Sequence, residues 1–264
     1  MKKIILLSLA GVVALTSCKK DEIEETNPIN EQSVFTLIKK DTTSNDYVVS
    51  LFAKTSSIEV GYNNLYVSVK NLDGTNIENA TVTFDPIMDM GTMSHGSPLI
   101  QPVYKSGSKM YEGVVIFTMP TGDMGTWTMS IDVNGGSTTF PIVVETSKPN
   151  TKYVGSYTGT DGEKYIVSIV KPFSWSVGMN DVSIMIHHRM MDSFIAVDDF
   201  HVVMDPQMMS MGHGSPNNIS PTSDGNGYYS GEVNFTMTGD WRLNFDLIRN
   251  GDTIVTGAYI DIMF

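Results

Sequence analysis

The sequence predicts an all-β protein built as two tandem immunoglobulin-like β-sandwiches, on three observations. The first is an internal repeat: His95-Gly96-Ser97-Pro98 returns as His213-Gly214-Ser215-Pro216, 118 residues later. The same spacing, without a gap, pairs Tyr111 with Tyr229, Gly113 with Gly231, Phe117 with Phe235, Thr118 with Thr236 and Met119 with Met237. Trp127 pairs with Trp241, Val60-Gly61-Tyr62-Asn63 with Val177-Gly178-Met179-Asn180, and Asp85-Pro86 with Asp205-Pro206, two residues nearer its His. The second is alternation of apolar and polar residues over Leu65 to Val69, Val182 to Ile186 and part of Val114 to Thr118, each bounded by Gly, Asn or Asp. That is the period of a half-buried strand. The third is size: each copy has about 115 residues, which suits a small sandwich, and no stretch after the first seventeen residues keeps a helical period.

Residues 1–17 read as an export signal. Lys2 and Lys3 precede an apolar run from Ile4 to Leu15 that is too short to span a bilayer comfortably. The following Leu15-Thr16-Ser17-Cys18 resembles the lipobox of bacterial lipoproteins, in which the signal is cut before the Cys and that residue is lipidated. Cys18 is therefore the expected lipidation site, and the membrane, reached through its acyl chains, the expected first partner. Residues 18–33 hold this Cys and a polar, acid-rich tether. Such an acidic run resembles surface-export signals in some Gram-negative lineages and suits a plain spacer equally well. The expected location is the bacterial cell envelope, as an outer-membrane lipoprotein facing the periplasm or the cell surface. The first sandwich is expected over 34–148 and the second over 149–264, with Ser147 to Asn150 as the joint. Asp73-Gly74 and Asp224-Gly225-Asn226-Gly227 read as turns.

Composition narrows the function. The 264 residues carry 17 Lys+Arg against 29 Asp+Glu, a formal charge of −12 that becomes −14 once the signal takes Lys2 and Lys3 with it. That balance argues against a nucleic-acid partner, because phosphates need Lys and Arg. A single Cys excludes a disulfide framework. No Gly-x-Ser-x-Gly nucleophile motif, phosphate loop or His-Glu-x-x-His is present, so no enzymatic activity is expected.

Eighteen Met against one Cys is the unusual feature of the composition, and position explains part of it. Met88, Met90 and Met93 precede His95; Met204, Met208, Met209 and Met211 precede His213. On an extended backbone Met209, Met211 and His213 would share one face at steps of about 7 Å, as would Met88 with Met90 and Met93 with His95. Thioether sulfur with an imidazole nitrogen suits Cu(I), or its mimic silver, better than calcium, magnesium or zinc. Met119 and Met237 share the repeat register and are candidate further ligands or core residues. The candidate metal set is thus Met88, Met90, Met93, His95 and Met119, with Met208, Met209, Met211, His213 and Met237. Capture is expected chiefly from Met90, Met93 and His95 and from Met209, Met211 and His213. The competing reading makes the same loops adaptable contact surface for another protein. His187-His188 is expected to be solvent-exposed, His201 is a weak candidate, and Trp127, Trp175 and Trp241 are expected in the cores.

These residues resemble the YtkA-like domain, related to the FixH family. The matching pattern is Gly61-x-Asn63-x-Leu65-x-Val67, Ala80-x-Val82, the Met/Gly/His loop, Tyr111-x-Gly113, Met119 and Gly125-x-Trp127. In the second copy it is Gly178-x-Asn180, the Met/His loop, Tyr229-x-Gly231 and Met237-x-Gly239-x-Trp241. The resemblance implies an immunoglobulin-like sandwich outside the cytoplasm and a link to copper handling or oxidase assembly. The tandem and the lipid anchor depart from the family. The expected function is a lipid-anchored copper-binding protein, a metallochaperone, buffer or resistance factor, with one Met/His site per domain and a copper donor or acceptor protein as partner. The alternatives are a protein-binding surface lipoprotein and an accessory factor of oxidase assembly.

Overall fold

A computed structural model describes residues 35–171, 173–191 and 193–264; the expected signal 1–17, Cys18 and the tether to residue 33 lie outside the described residues. The described chain is all-β. Strands β1 (Thr36–Thr42), β2 (Val48–Ala53), β3 (Ile58–Glu59), β4 (Gly61–Lys70), β5 (Val82–Asp89) and β6 (Ser94–His95) come first. They are followed by β7 (Leu99–Lys105), β8 (Met110–Phe117), β9 (Thr126–Val133), β10 (Gly136–Ile142) and β11 (Val144–Glu145). Two sheets, ordered β1-β2-β4-β8-β7 and β10-β9-β5-β6, stack face to face, with β11 pairing in parallel with β3. The inward residues, among them Leu51, Leu65, Val67, Val115 and Phe117 from one sheet and Phe84, Trp127, Met129 and Ile131 from the other, make one core.

The plan then repeats. Strands β12 (Val154–Thr158), β13 (Lys164–Ile169), β14 (Gly178–Met190), β15 (Ser193–Ala196) and β16 (His201–Met208) lead into β17 (His213–Gly214) and β18 (Ile219–Gly225). The last three are β19 (Tyr228–Phe235), β20 (Asp240–Arg249) and β21 (Asp252–Met263). The sheets are β12-β13-β14-β19-β18, with β15 on β14, and β17-β16-β20-β21. The chain is therefore a tandem of two immunoglobulin-like β-sandwiches.

The repeated motifs acquire structural meanings. Gly61 and Gly178 have φ of +103° and +108°, a conformation that a side chain resists. The amide of the following Asn63 or Asn180 clamps the bend: Glu59 N donates to Asn63 Oδ1 (3.2 Å), and Asn63 Nδ2 donates to Glu59 O (2.7 Å). Ser176 N to Asn180 Oδ1 (2.9 Å) and Asn180 Nδ2 to Ser176 O (2.8 Å) repeat this. Tyr111 Oη accepts from Ala80 N (2.8 Å) and Tyr229 Oη from Phe200 N (3.2 Å). Each tyrosine latches the chain just before the strand, β5 or β16, that ends in the Met/His hairpin.

The two sandwiches also touch. Tyr62, Val114 and Ile116 of the first pack against Val154, Ile166 and Met185 of the second in a separate apolar cluster. The Tyr62 and Tyr228 hydroxyls meet at 3.1 Å, burial raising the Tyr62 phenol pKa, and Lys171 Nζ pairs with Glu59 Oε2 at 3.0 Å.

Candidate metal centre

Each His-containing loop is a β-hairpin, and this corrects the extended-backbone expectation. β5 ends at Asp89 and β6 returns through Ser94 and His95, with Met88 opposite His95 and Asp89 opposite Ser94. In the second copy Met208 lies opposite His213 and Gln207 opposite Gly214, so Met209 to Gly212 are the turn itself. Met209, Met211 and His213 therefore do not lie along one strand face. Gly91 and Gly212 take left-handed φ values of +78° and +65° inside these turns, which ends the alternation on which that expectation rested. The two residues by which the copies differ fall within the turn and leave the Met–His pairing intact.

The same Met is paired on its other side with a tryptophan: Met88 with Trp127 and Met208 with Trp241. Cross-strand neighbours have Cβ atoms roughly 5 Å apart, so His, Met and Trp form a row across three strands in both copies. Met88, Met208 and both indoles are buried in the cores. The His rings stand edge-on to the indoles, with centroids 5.5 Å apart at 87° in the first copy and 5.7 Å at 81° in the second. Each indole N–H donates to a methionine carbonyl, Trp127 Nε1 to Met119 O and Trp241 Nε1 to Met237 O, both at 2.9 Å. Met119 and Met237 are thus held beside the same row.

One hydrogen bond decides what the imidazoles can do. His95 Nδ1 lies 2.8 Å from Gly96 O, and His213 Nδ1 lies 2.9 Å from Gly214 O. A carbonyl oxygen only accepts, so Nδ1 carries the hydrogen and the neutral ring presents its lone pair at Nε2. Among the described residues no hydrogen bond occupies either Nε2. A backbone carbonyl fixing one ring nitrogen while the other stays free is the arrangement usual for a metal-binding His.

The structure sorts the candidate ligands into two groups. Met88, Met90, His95 and Met119 gather at the rim of the first core around Trp127, and Met208 and His213 around Trp241; Met237 touches that indole through its backbone carbonyl and is itself exposed. Met93, Met209 and Met211 sit on the turns with 57%, 50% and 61% of their surface exposed. Among the described residues no three His, Cys, Asp or Glu side chains converge as a metal cluster, so any metal here would depend on thioethers.

Sequence reasoning did not anticipate why Gly precedes each Trp by two residues. Gly125 and Gly239 have φ of +151° and +140°. A Cβ on Gly125 would lie 2.5 Å from Asp89 O and 3.0 Å from the Met88 methyl; on Gly239 it would lie 2.4 Å from the Met208 methyl. The Gly-x-Trp spacing is the signal, and its content is room for the buried thioether. Gly239→Ala should cost about 1–3 kcal/mol through strain and overpacking and displace Met208. Urea unfolding and the Met208 ε-methyl NMR shift would check this, and an unchanged methyl shift would refute the displacement.

The remaining histidines divide. His187, expected to be exposed, is only 2% exposed: it faces Ile166 and Ala196 across β13 and β15. Burial pushes its pKa down to about 4, although Asp198 pulls the other way. His188 bonds Glu163 Oε2 at 2.8 Å and stacks on Tyr165. His201 points to solvent at the start of β16, far along that strand from Met208. Trp127 and Trp241 fill the cores, whereas Trp175 is half-buried at a rim, stacked on Phe173.

No curated protein matches the sequence. Among solved structures, a conserved domain protein from Bacillus anthracis aligns at 13% identity over 89% of this chain and 93% of its own, with a TM-score of 0.33. The Escherichia coli adhesin FdeC aligns at 12% identity over 85% of this chain and 66% of its own, with a TM-score of 0.27. A chimeric titin Z1Z2 tandem aligns at 13% identity over 86% of this chain and 96% of its own, with a TM-score of 0.21. The family model described as YtkA-like matches residues 161–246, a span that contains the second hairpin, Met237 and Trp241. The match falls within the second sandwich, so residues 161–246 are similar to a YtkA-like domain.

Proposed function

We propose that this protein binds copper outside the cytoplasm, anchored by lipid at Cys18, with one Met/His site in each sandwich. The observation that carries the reading is the His row, repeated in both copies: Nδ1 tied to a carbonyl, Nε2 free, and a buried thioether directly across the strand. Neutral nitrogen and thioether donors match a soft monovalent ion. Met88, Met90, His95 and Met119 would hold one ion and Met208, His213 and Met237 the other. The exposed Met93, Met209 and Met211 would receive and release it. Neutral donors bind less tightly than thiolates, which suits exchange with a donor or acceptor protein and a role as metallochaperone, buffer or resistance factor. The anchor and the envelope location rest on residues 1–33 of the sequence.

The experiment is titration of metal-free protein with Cu(I) against a coloured chelator. His95→Ala/His213→Ala is expected to take up two equivalents fewer than the wild type; unchanged uptake by that variant would remove these sites. The second reading, a methionine-rich surface for docking another protein, is favoured by the exposure of Met93, Met209 and Met211. It gains if the wild type takes up no Cu(I) at all.

A further inference from the structure

The second sandwich carries a row that the first lacks. Trp241 and Ile262 point into the core, so their neighbours Asp240 and Met263, which are cross-strand partners, point to the outer face of the sheet. On the other side of Asp240 the backbone continues the same register: Met209 N donates to Asp240 O at 3.1 Å. Met209, the first residue past β16, thus stands beside Asp240 and Met263 of the next two strands, and all three line one cavity of about 480 Å³. Strand spacing puts the two Met backbones about 10 Å apart, leaving each unbranched side chain about 5 Å to cover. Both thioethers are accessible, at 50% and 42% exposure.

The charges in this cavity favour a cation at Asp240. Arg242 is committed to Asp261 through two bonds, Nε to Oδ1 at 2.7 Å and a terminal nitrogen to Oδ2 at 2.9 Å. Asp240 has no such partner among the described residues; its Oδ1 accepts a hydrogen bond from Ser210 Oγ. One free carboxylate is too few oxygens for calcium or magnesium, and zinc would ask for thiolate, several His or more carboxylate. Two thioethers beside one negative charge suit a soft monovalent cation. The corresponding row of the first copy runs from Asp89 to its partner Thr126 and on to Val143, with no thioether on the outer strand.

We propose that Met209, Asp240 and Met263 form a third, solvent-facing site for Cu(I) or Ag(I), distinct from the His213 site and found in the second sandwich alone. The inference shares with the function proposed above the choice of a soft monovalent ion, and it stands on a separate set of side chains. The thioethers supply the bonds, and the Asp240 carboxylate supplies the balancing charge. Met209 sits next to the core Met208, so an ion held here is one residue away from the inner site.

The test is Ag(I) titration of the protein labelled with 13C at the methionine ε-methyl groups, with signals assigned by single Met→Leu variants. The Met209 and Met263 methyls are expected to shift together in one step. Met263→Leu should abolish the Met209 part of that step, and Asp240→Asn should move its midpoint to higher silver. His95→Ala/His213→Ala should leave it in place. A Met263 methyl that stays still at several equivalents of silver, or a Met209 shift that survives Met263→Leu, overturns the site. An unmoved midpoint in Asp240→Asn removes the carboxylate from it. Shifts at Met209 and Met263 with the Met88 and Met208 methyls unmoved would instead sink the His-centred sites and leave this one standing.

Discussion

Trp241→Ala is expected to destabilise the second sandwich by about 3–5 kcal/mol, and Trp127→Ala the first by a similar amount. Both indoles are among the largest fully buried side chains, and each occupies the same place in its core, against Phe117 or Phe235 on one side and the His ring on the other. Truncation would leave a cavity that two stacked sheets, held in register by their ladders, can close only in part. It would also remove the donor to Met237 O or Met119 O. Trp241→Phe separates the two contributions: it keeps much of the volume and loses the N–H, so a smaller cost of about 1–2 kcal/mol is expected. Urea unfolding followed by circular dichroism measures both. A loss below 1 kcal/mol for Trp241→Ala would mean that the core does not depend on the indole. The same variant strips His213 of its edge contact, so the wall of the proposed metal site and the centre of the core are one side chain.

The parts of this architecture that were legible in the sequence are those with local or repeated signals. The tandem, the strand periodicity and the aromatic cores follow from matches such as Tyr111 with Tyr229 and Trp127 with Trp241, because large buried side chains must recur where the same sheets stack. The clustering of Met and His in two repeated loops was legible too, but not which Met faces which His. That depends on where the hairpin turns, and Gly212, between Met211 and His213, is a breaker that outweighs a two-residue spacing. Met263 gave no signal at all, since its place beside Asp240 is a matter of register between strands. The burial of His187 was hidden for a related reason. Alternation in a strand predicts one wet face, yet β14 is covered on both: Ile184 and Ile186 face its own core, and Met185 faces the first sandwich. A contact between domains leaves no periodicity in either.

His187 should make the protein lose stability as pH falls from about 6.5 to about 4. The ring is buried with Nδ1 unpartnered among the described residues, so the native fold holds it neutral and its pKa falls to about 4 from an unfolded value near 6.5. Between those two pH values the unfolded chain binds a proton that the folded chain does not, so unfolding is favoured as acid is added. Above about 6.5 both states are neutral, and below about 4 both are charged, so the slope vanishes on either side. A separation of this size corresponds to roughly 3 kcal/mol when fully developed. Carboxylates act in a different window. Asp41, held low by the Thr138 hydroxyl, and Asp73, held low by the Thr75 N–H, lose their contribution only as pH drops below the ordinary carboxylate range. Urea midpoints at pH 7.5 and pH 4.5 therefore isolate the histidine: the wild type should lose most of this increment between them, and His187→Leu, which cannot titrate, should lose far less. Equal losses in the two proteins would show that the acid sensitivity lies elsewhere. Because His187 adjoins Met185 and Ile166 of the interdomain cluster, its protonation would place a charge beside the apolar joint between the sandwiches. Acid should therefore loosen that joint before it unfolds the two cores.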